Sequence, residues 1–86
     1  MTMQELLEQM FARHGVDRYP TIEANALKLV EEVGEVARAV LRGDHDALVD
    51  ELADVTMSVA ALFAKLDTDM ETHVAAVVAR QTRKTQ

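Results

Sequence analysis

Two short stretches concentrate the residues able to do chemistry. Residues 31–36 read EEVGEV, placing Glu31, Glu32 and Glu35 close together, and residues 50–55 read DELADV, placing Glu51 and Asp54 at the spacing of Glu32 and Glu35. Side chains three apart on a helix are neighbours on its surface, so the chain carries two pairs of carboxylates. Brought into one cleft, four carboxylates repel unless cations occupy it, and an oxygen-only donor set suits hard ions such as Mg²⁺ or Mn²⁺. Such ions commonly keep waters and share ligands with substrate phosphates. A solvated acidic face is the commoner explanation of EExxE alone; the second pair on the next element shifts the balance towards a site.

The elements that must position these acids follow from periodicity and stop signals. Thr2 and Glu5 have capping-box spacing and open a helix over about residues 3–14, which Gly15 ends. From Thr21 to Arg42, Ile22, Ala26, Leu29, Val33, Val36 and Val40 recur every three or four positions, as on one face of a helix. Gly43 stops that helix and Asp44 caps the next, which runs to about Leu66. Thr68 and Glu71 suggest a second capping box before a last helix ending at about Arg83. The expected fold is all-α: four helices in one domain over residues 1–86, with a central antiparallel helical hairpin, assembling into an oligomeric helical bundle.

On a helical wheel centred on Val33, Glu32 falls at about −100°, at the edge of the apolar arc, and Glu35 at about −160°, with Lys28 between them and Glu31 further towards solvent. On the next helix, centred on Val55, Glu51 falls at about −40°, almost inside the face of Leu48, Leu52, Val59, Leu62 and Leu66. A carboxylate buried there without a partner would cost on the order of several kcal/mol, so it must be neutralised, paired or metal-bound. Gly34 is expected to permit close approach of a helix or ligand, at a helix-propensity cost of about 1 kcal/mol.

Bulk properties narrow the function class. A net charge of −6 disfavours a nucleic-acid partner, which needs a basic surface. The absence of cysteine rules out disulfides and thiolate metal sites and fits a cytoplasmic protein. No signal peptide is evident, and the most apolar run, residues 55–64, is half a membrane span, so no membrane partner is expected. That run is apolar nearly all round, which calls for burial by a second subunit. His14, His45 and His73 lack metal-ligand spacing, Ser58 lacks a histidine that would make it a nucleophile, and no glycine-rich phosphate loop is present. Phe11, Tyr19 and Asn25 could line a base pocket by stacking and amide hydrogen bonding, with core packing favoured for Phe11.

KLVEEVGEVARAV followed by DELADV resembles the MazG-like branch of the all-α nucleoside triphosphate pyrophosphatases, whose signature is EExxE, a spacer, then ExxD; here 15 residues separate Glu35 from Glu51. The resemblance is close over the two central helices and loose over the last. It implies hydrolysis of a nucleoside triphosphate to the monophosphate and pyrophosphate. Mg²⁺, with Mn²⁺ as the substitute, would be held by Glu32, Glu35, Glu51 and Asp54, and Glu31 would orient or activate the water. It also implies a homodimer or dimer of dimers, with the base held between helices of different subunits. Family members carry a lysine and, four residues later, an asparagine in the last helix; Val77 and Gln81 stand there in this chain. Arg80, Arg83 and Lys84 offer charge nearby, and with Lys28, Asn25 and Phe11 they complete the expected substrate contacts. Two alternatives stay open on this scaffold: a phosphoribosyl-ATP pyrophosphatase, and a catalytically weak module binding nucleotide or protein, which the altered last helix favours.

Overall fold

Thr21 sets the start of the first long helix by accepting the Ala24 amide hydrogen on its hydroxyl oxygen at 3.0 Å. In this computed structural model, which describes residues 21–85 together with Met1, Thr2, Glu5, Leu6, Glu8, Gln9 and Ala12, three helices are traced in full. They are α1 (Ile22–Arg42), α2 (His45–Lys65) and α3 (Met70–Thr85). No strand occurs among the described residues, and none of the described helices is long and apolar enough to cross a membrane.

The expected first helix lies largely outside the described residues, as do Phe11, His14, Tyr19 and Pro20. Its opening signal is present: Glu5 donates its amide hydrogen to Thr2 Oγ1 at 3.1 Å, and the Thr2 amide donates to Glu5 Oε1 at 3.3 Å. This reciprocal pairing satisfies two otherwise orphaned donors.

The bend between α1 and α2 is made by two residues, each for its own reason. Gly43 adopts the left-handed conformation (φ 68°) that a residue without Cβ takes at no cost. Its amide and that of Asp44 close on the Val40 and Ala39 carbonyls, each at 3.1 Å, which is the paired ending that stops a helix sharply. Asp44 then accepts the Ala47 amide hydrogen at 3.0 Å and starts α2. With so short a connection α1 and α2 run antiparallel, and packing between elements is concentrated in this hairpin.

The seam of the hairpin departs from the apolar stripe expected from the sequence. On α1 the side chains turned inward are Asn25, Leu29, Glu32, Val36 and Ala39, whereas Ile22, Val33 and Val40 are exposed in the single chain. The helix is thus rotated so that a polar-interrupted face meets α2. A second apolar stripe, Leu27, Val30, Ala37 and Leu41, runs along the opposite side, with Leu41 86% exposed. On α2, the residues from Met57 to Lys65 are half-buried in the single chain apart from Ser58 and Ala60, which are buried.

The cap of the last helix is also displaced from its expected position. Asp69, rather than Thr68, accepts the Thr72 amide hydrogen at 3.0 Å, while the Thr68 hydroxyl donates to the Leu66 carbonyl. Asp67 occupies the left-handed region (φ 52°) at the end of α2, a role usually taken by glycine. Beyond Met70, every described side chain of α3 is exposed. Phe63 and His73, with ring centroids 6.4 Å apart, connect it to α2.

Candidate active site

The bend places the two acidic motifs opposite each other. Glu35 lies eight residues before Gly43 and Glu51 seven after Asp44; Glu32 and Asp54 lie three further on each arm. At about 1.5 Å per residue, each acid of one helix stands nearly level with an acid of the other. Their mutual field is visible at Glu51. Burial first, then the like charges of Asp54, Glu35, Glu32 and Asp50, hold its carboxyl above the usual carboxylate range. The other three acids of the two pairs are therefore close enough to resist ionisation of Glu51.

Burial is distributed differently from the sequence expectation. Glu32, rather than Glu51, is the carboxylate inside the seam: it is 8% exposed, whereas Glu51 is half-buried and Glu35 and Asp54 are exposed. Glu32 has a partner there. The Ser58 hydroxyl donates to Glu32 Oε1 at 2.6 Å, a short charge-assisted bond crossing from α2 to α1. Asn25, fully buried, donates from Nδ2 to the Ser58 carbonyl at 3.2 Å, and its own Oδ1 has no hydrogen-bond partner among the described residues. Asn25 therefore offers no surface to a nucleotide base in the single chain. In the sequence Ser58 stands out only as a potential nucleophile lacking a histidine; its polar type on the buried side of α2, bonded to Asn25 and Glu32, is the signal that marks it.

The outer acids are paired with cations of their own helix. Arg38 makes an ion pair with Glu35 one turn away, and Lys28 reaches Glu31 at 3.6 Å. Lys28 is thus on the acidic side of α1. Arg80 and Arg83 are exposed on α3, while Phe11 and the Lys84 side chain fall outside the described residues. His45 begins α2, and His73 packs near Phe63, so neither joins the acids. Gly34 does not serve a close approach within the chain: a Cβ built there meets nothing within 4 Å.

Among the described residues, no three His, Asp or Glu side chains are gathered closely enough to form a ready-made ion cage. The chemistry of the donor set nonetheless fits a divalent cation. All four acids offer oxygen, one is tethered through a single oxygen, and one resists ionisation through burial and then through the charges of its neighbours, a repulsion that a cation relieves.

No curated protein and no solved structure matches the chain significantly. A family profile does: that of the MazG nucleotide pyrophosphohydrolase domain, over residues 20–86, which takes in the whole hairpin with both acidic motifs and α3. With most of its length matched, and with EExxE and ExxD facing each other across an all-helical hairpin, the chain belongs to the MazG nucleotide pyrophosphohydrolase family.

Proposed function

We propose that this chain hydrolyses a nucleoside or deoxynucleoside triphosphate between the α- and β-phosphates, giving the monophosphate and pyrophosphate, with Mg²⁺ or Mn²⁺ held by Glu32, Glu35, Glu51 and Asp54. The observation that carries this reading is the pair of acidic motifs brought level on the two arms of one hairpin, with Glu32 buried in the seam and held by the Ser58 hydroxyl at 2.6 Å. Burial and then the charges of both motifs also raise the Glu51 carboxyl, and groups perturbed in this way concentrate at functional sites. When bound, the cation would neutralise phosphate charge and lower the pKa of a coordinated water.

The chain's own residues supply positioning. Glu32 presents its second oxygen from a tethered carboxylate, and Glu35, Glu51 and Asp54 present theirs from the two arms of the hairpin. Glu31, exposed and adjacent to Glu32, would accept a proton from the attacking water. Lys28, Arg80 and Arg83 supply the positive charge that steers the triphosphate. The exposed stripe Leu27, Val30, Ala37 and Leu41 supports a homodimer or dimer of dimers in which a second copy covers α1 and completes the base pocket.

A second reading, a nucleotide- or protein-binding module with weak turnover, is favoured by Val77 and Gln81 in α3. One experiment separates them: canonical and damaged nucleoside triphosphates are offered with Mg²⁺ and pyrophosphate release is measured. The hydrolase reading expects release from at least one nucleotide, lost in Glu51→Gln. Nucleotide binding without release across the panel leaves the module.

A further inference from the structure

The polar chain from Asn25 through Ser58 to Glu32 lies at the centre of the hairpin seam, where apolar packing would be the ordinary choice. Its members are the buried polar residues of the two helices, at 0%, 5% and 8% exposure, in a seam otherwise made of Leu29, Val36, Ala39 and the apolar residues of α2. It is also incompletely satisfied. The Asn25 amide points its nitrogen at the Ser58 carbonyl, the only orientation in which the two attract, and this leaves Oδ1 without a partner among the described residues. An unpaired buried acceptor costs more than one neutral hydrogen bond returns. Stability therefore does not explain the arrangement, which points to the group at its end.

That group is Glu32. Of its two carboxylate oxygens, Oε1 is tied to Ser58 Oγ at 2.6 Å. A hydroxyl donor on one oxygen restricts the rotation of the carboxylate and leaves the other oxygen outside that bond. The backbone of Ser58 is in turn held against α1 by Asn25 Nδ2. The two hydrogen bonds anchor the same residue from two positions of α1, Asn25 and Glu32, seven residues apart, so α2 can neither slide nor roll without breaking one.

We infer that Ser58 and Asn25 are positioning residues that lock the Glu32 carboxylate in the orientation needed to hold a divalent cation, Ser58 directly and Asn25 by fixing Ser58. The inference rests on the proposed role of Glu32 as a metal ligand. Partners that orient metal ligands from behind are typically worth about 10–100-fold in affinity, and Ser58→Ala falls in that range. Asn25→Ala, one step further away, loses less.

The test is Mn²⁺ binding, measured by calorimetry and by the electron paramagnetic resonance signal of the free ion, with no nucleotide present. It uses the full chain and variants whose helix content by circular dichroism equals that of the wild type. Ser58→Ala weakens Mn²⁺ binding at least tenfold, and Ser58→Thr, which keeps the hydroxyl, restores most of it. Thr56→Ala, which removes a hydroxyl bonded only to its own helix at the Leu52 carbonyl, leaves binding unchanged. Glu32→Gln is the companion measurement. If Glu32→Gln weakens Mn²⁺ binding and Ser58→Ala does not, the positioning role is overturned while the site stands. If Glu32→Gln binds Mn²⁺ as the wild type does, the ligand role of Glu32 is overturned and the positioning role with it. Should Ser58→Ala fail to fold, the Ser58→Thr and Asn25→Ala affinities decide: wild-type binding by Asn25→Ala together with loss of binding in Ser58→Thr overturns the inference.

Discussion

Arg38 pairs with Glu35 Oε1 from one turn further along α1, so one proposed ligand already has a cationic partner in the chain. Both side chains are substantially exposed, and such a pair contributes about 0.2–1 kcal/mol. A divalent cation at Glu35 must displace the guanidinium or share the carboxylate with it. Arg38→Gln is therefore expected to tighten Mn²⁺ binding, by up to about fivefold on that energy scale. Calorimetry showing weaker binding in the variant would mean that Arg38 supports the site instead of competing for it.

Glu51 gives a pH-dependent expectation whose sign is fixed by its surroundings. Its folded-state carboxyl is held above its ordinary value of 4.5 by burial and by the charges of Asp54, Glu35, Glu32 and Asp50, so the native chain binds this proton more tightly than the unfolded one. Stability then falls as pH rises from about 4.5 through the raised value, and the penalty is complete above it. Glu51→Gln removes the penalty. Its melting temperature is expected to exceed that of the wild type at neutral pH and to converge with it as the solution is acidified. Pyrophosphate release should drop by about 100-fold or more, beyond what outer partners of metal ligands cost. Glu23→Gln, exposed in the first turn of α1 and outside both motifs, is the control. A variant with wild-type release removes Glu51 from the site.

Gly34 separates the single chain from the assembly. Within the chain, alanine at this position meets open space and gains about 1 kcal/mol of helix propensity. Gly34 also sits midway along the exposed stripe of Leu27, Val30, Ala37 and Leu41, where a second copy would approach. Gly34→Ala is expected to raise helix stability at low protein concentration while shifting the sedimentation distribution towards monomer and lowering turnover. Greater stability with unchanged assembly and turnover would place the interface elsewhere.

The caps give a purely structural check. Asp44→Ala should destabilise the hairpin by about 1 kcal/mol, as loss of an N-cap usually does. Asp69→Ala should reduce the helicity of α3, and Thr68→Ala should not, because Asp69 is the residue that accepts from Thr72. The Asp69 carboxyl lies below its ordinary value, chiefly through the Thr72 side-chain and backbone hydrogen bonds. Its stabilising effect is therefore present above the ordinary value of 3.8 and is lost as pH falls through the lowered folded value.

What could be read from the sequence was mostly short-range. Gly43 and Asp44 act through partners a few residues away, so their types alone specified the end of α1 and the start of α2. The facing of EExxE and ExxD followed from the same bend. The rotation of α1 did not, because a wheel assigns the inward face to the most apolar residues. Here α1 carries two faces, and the one meeting α2 includes Asn25 and Glu32, which only their partner Ser58 explains. The displaced cap at Asp69 reflects the extra residues used to end α2, where Asp67 takes the left-handed position. The room around Gly34 concerns what lies beyond the chain, which a sequence does not encode locally.

The exposure of α3 has a consequence for how the chain opens. A helix of 16 residues is marginal on its own in water, and beyond Met70 its described side chains bury little. Its amide hydrogens should exchange through local opening at low free energy, while those of α1 and α2 in the seam wait for the hairpin itself to come apart. Any nucleotide or second subunit that engages Arg80 or Arg83 should then register as slowed exchange over residues 70–85, in a part of the chain whose unliganded baseline is fast.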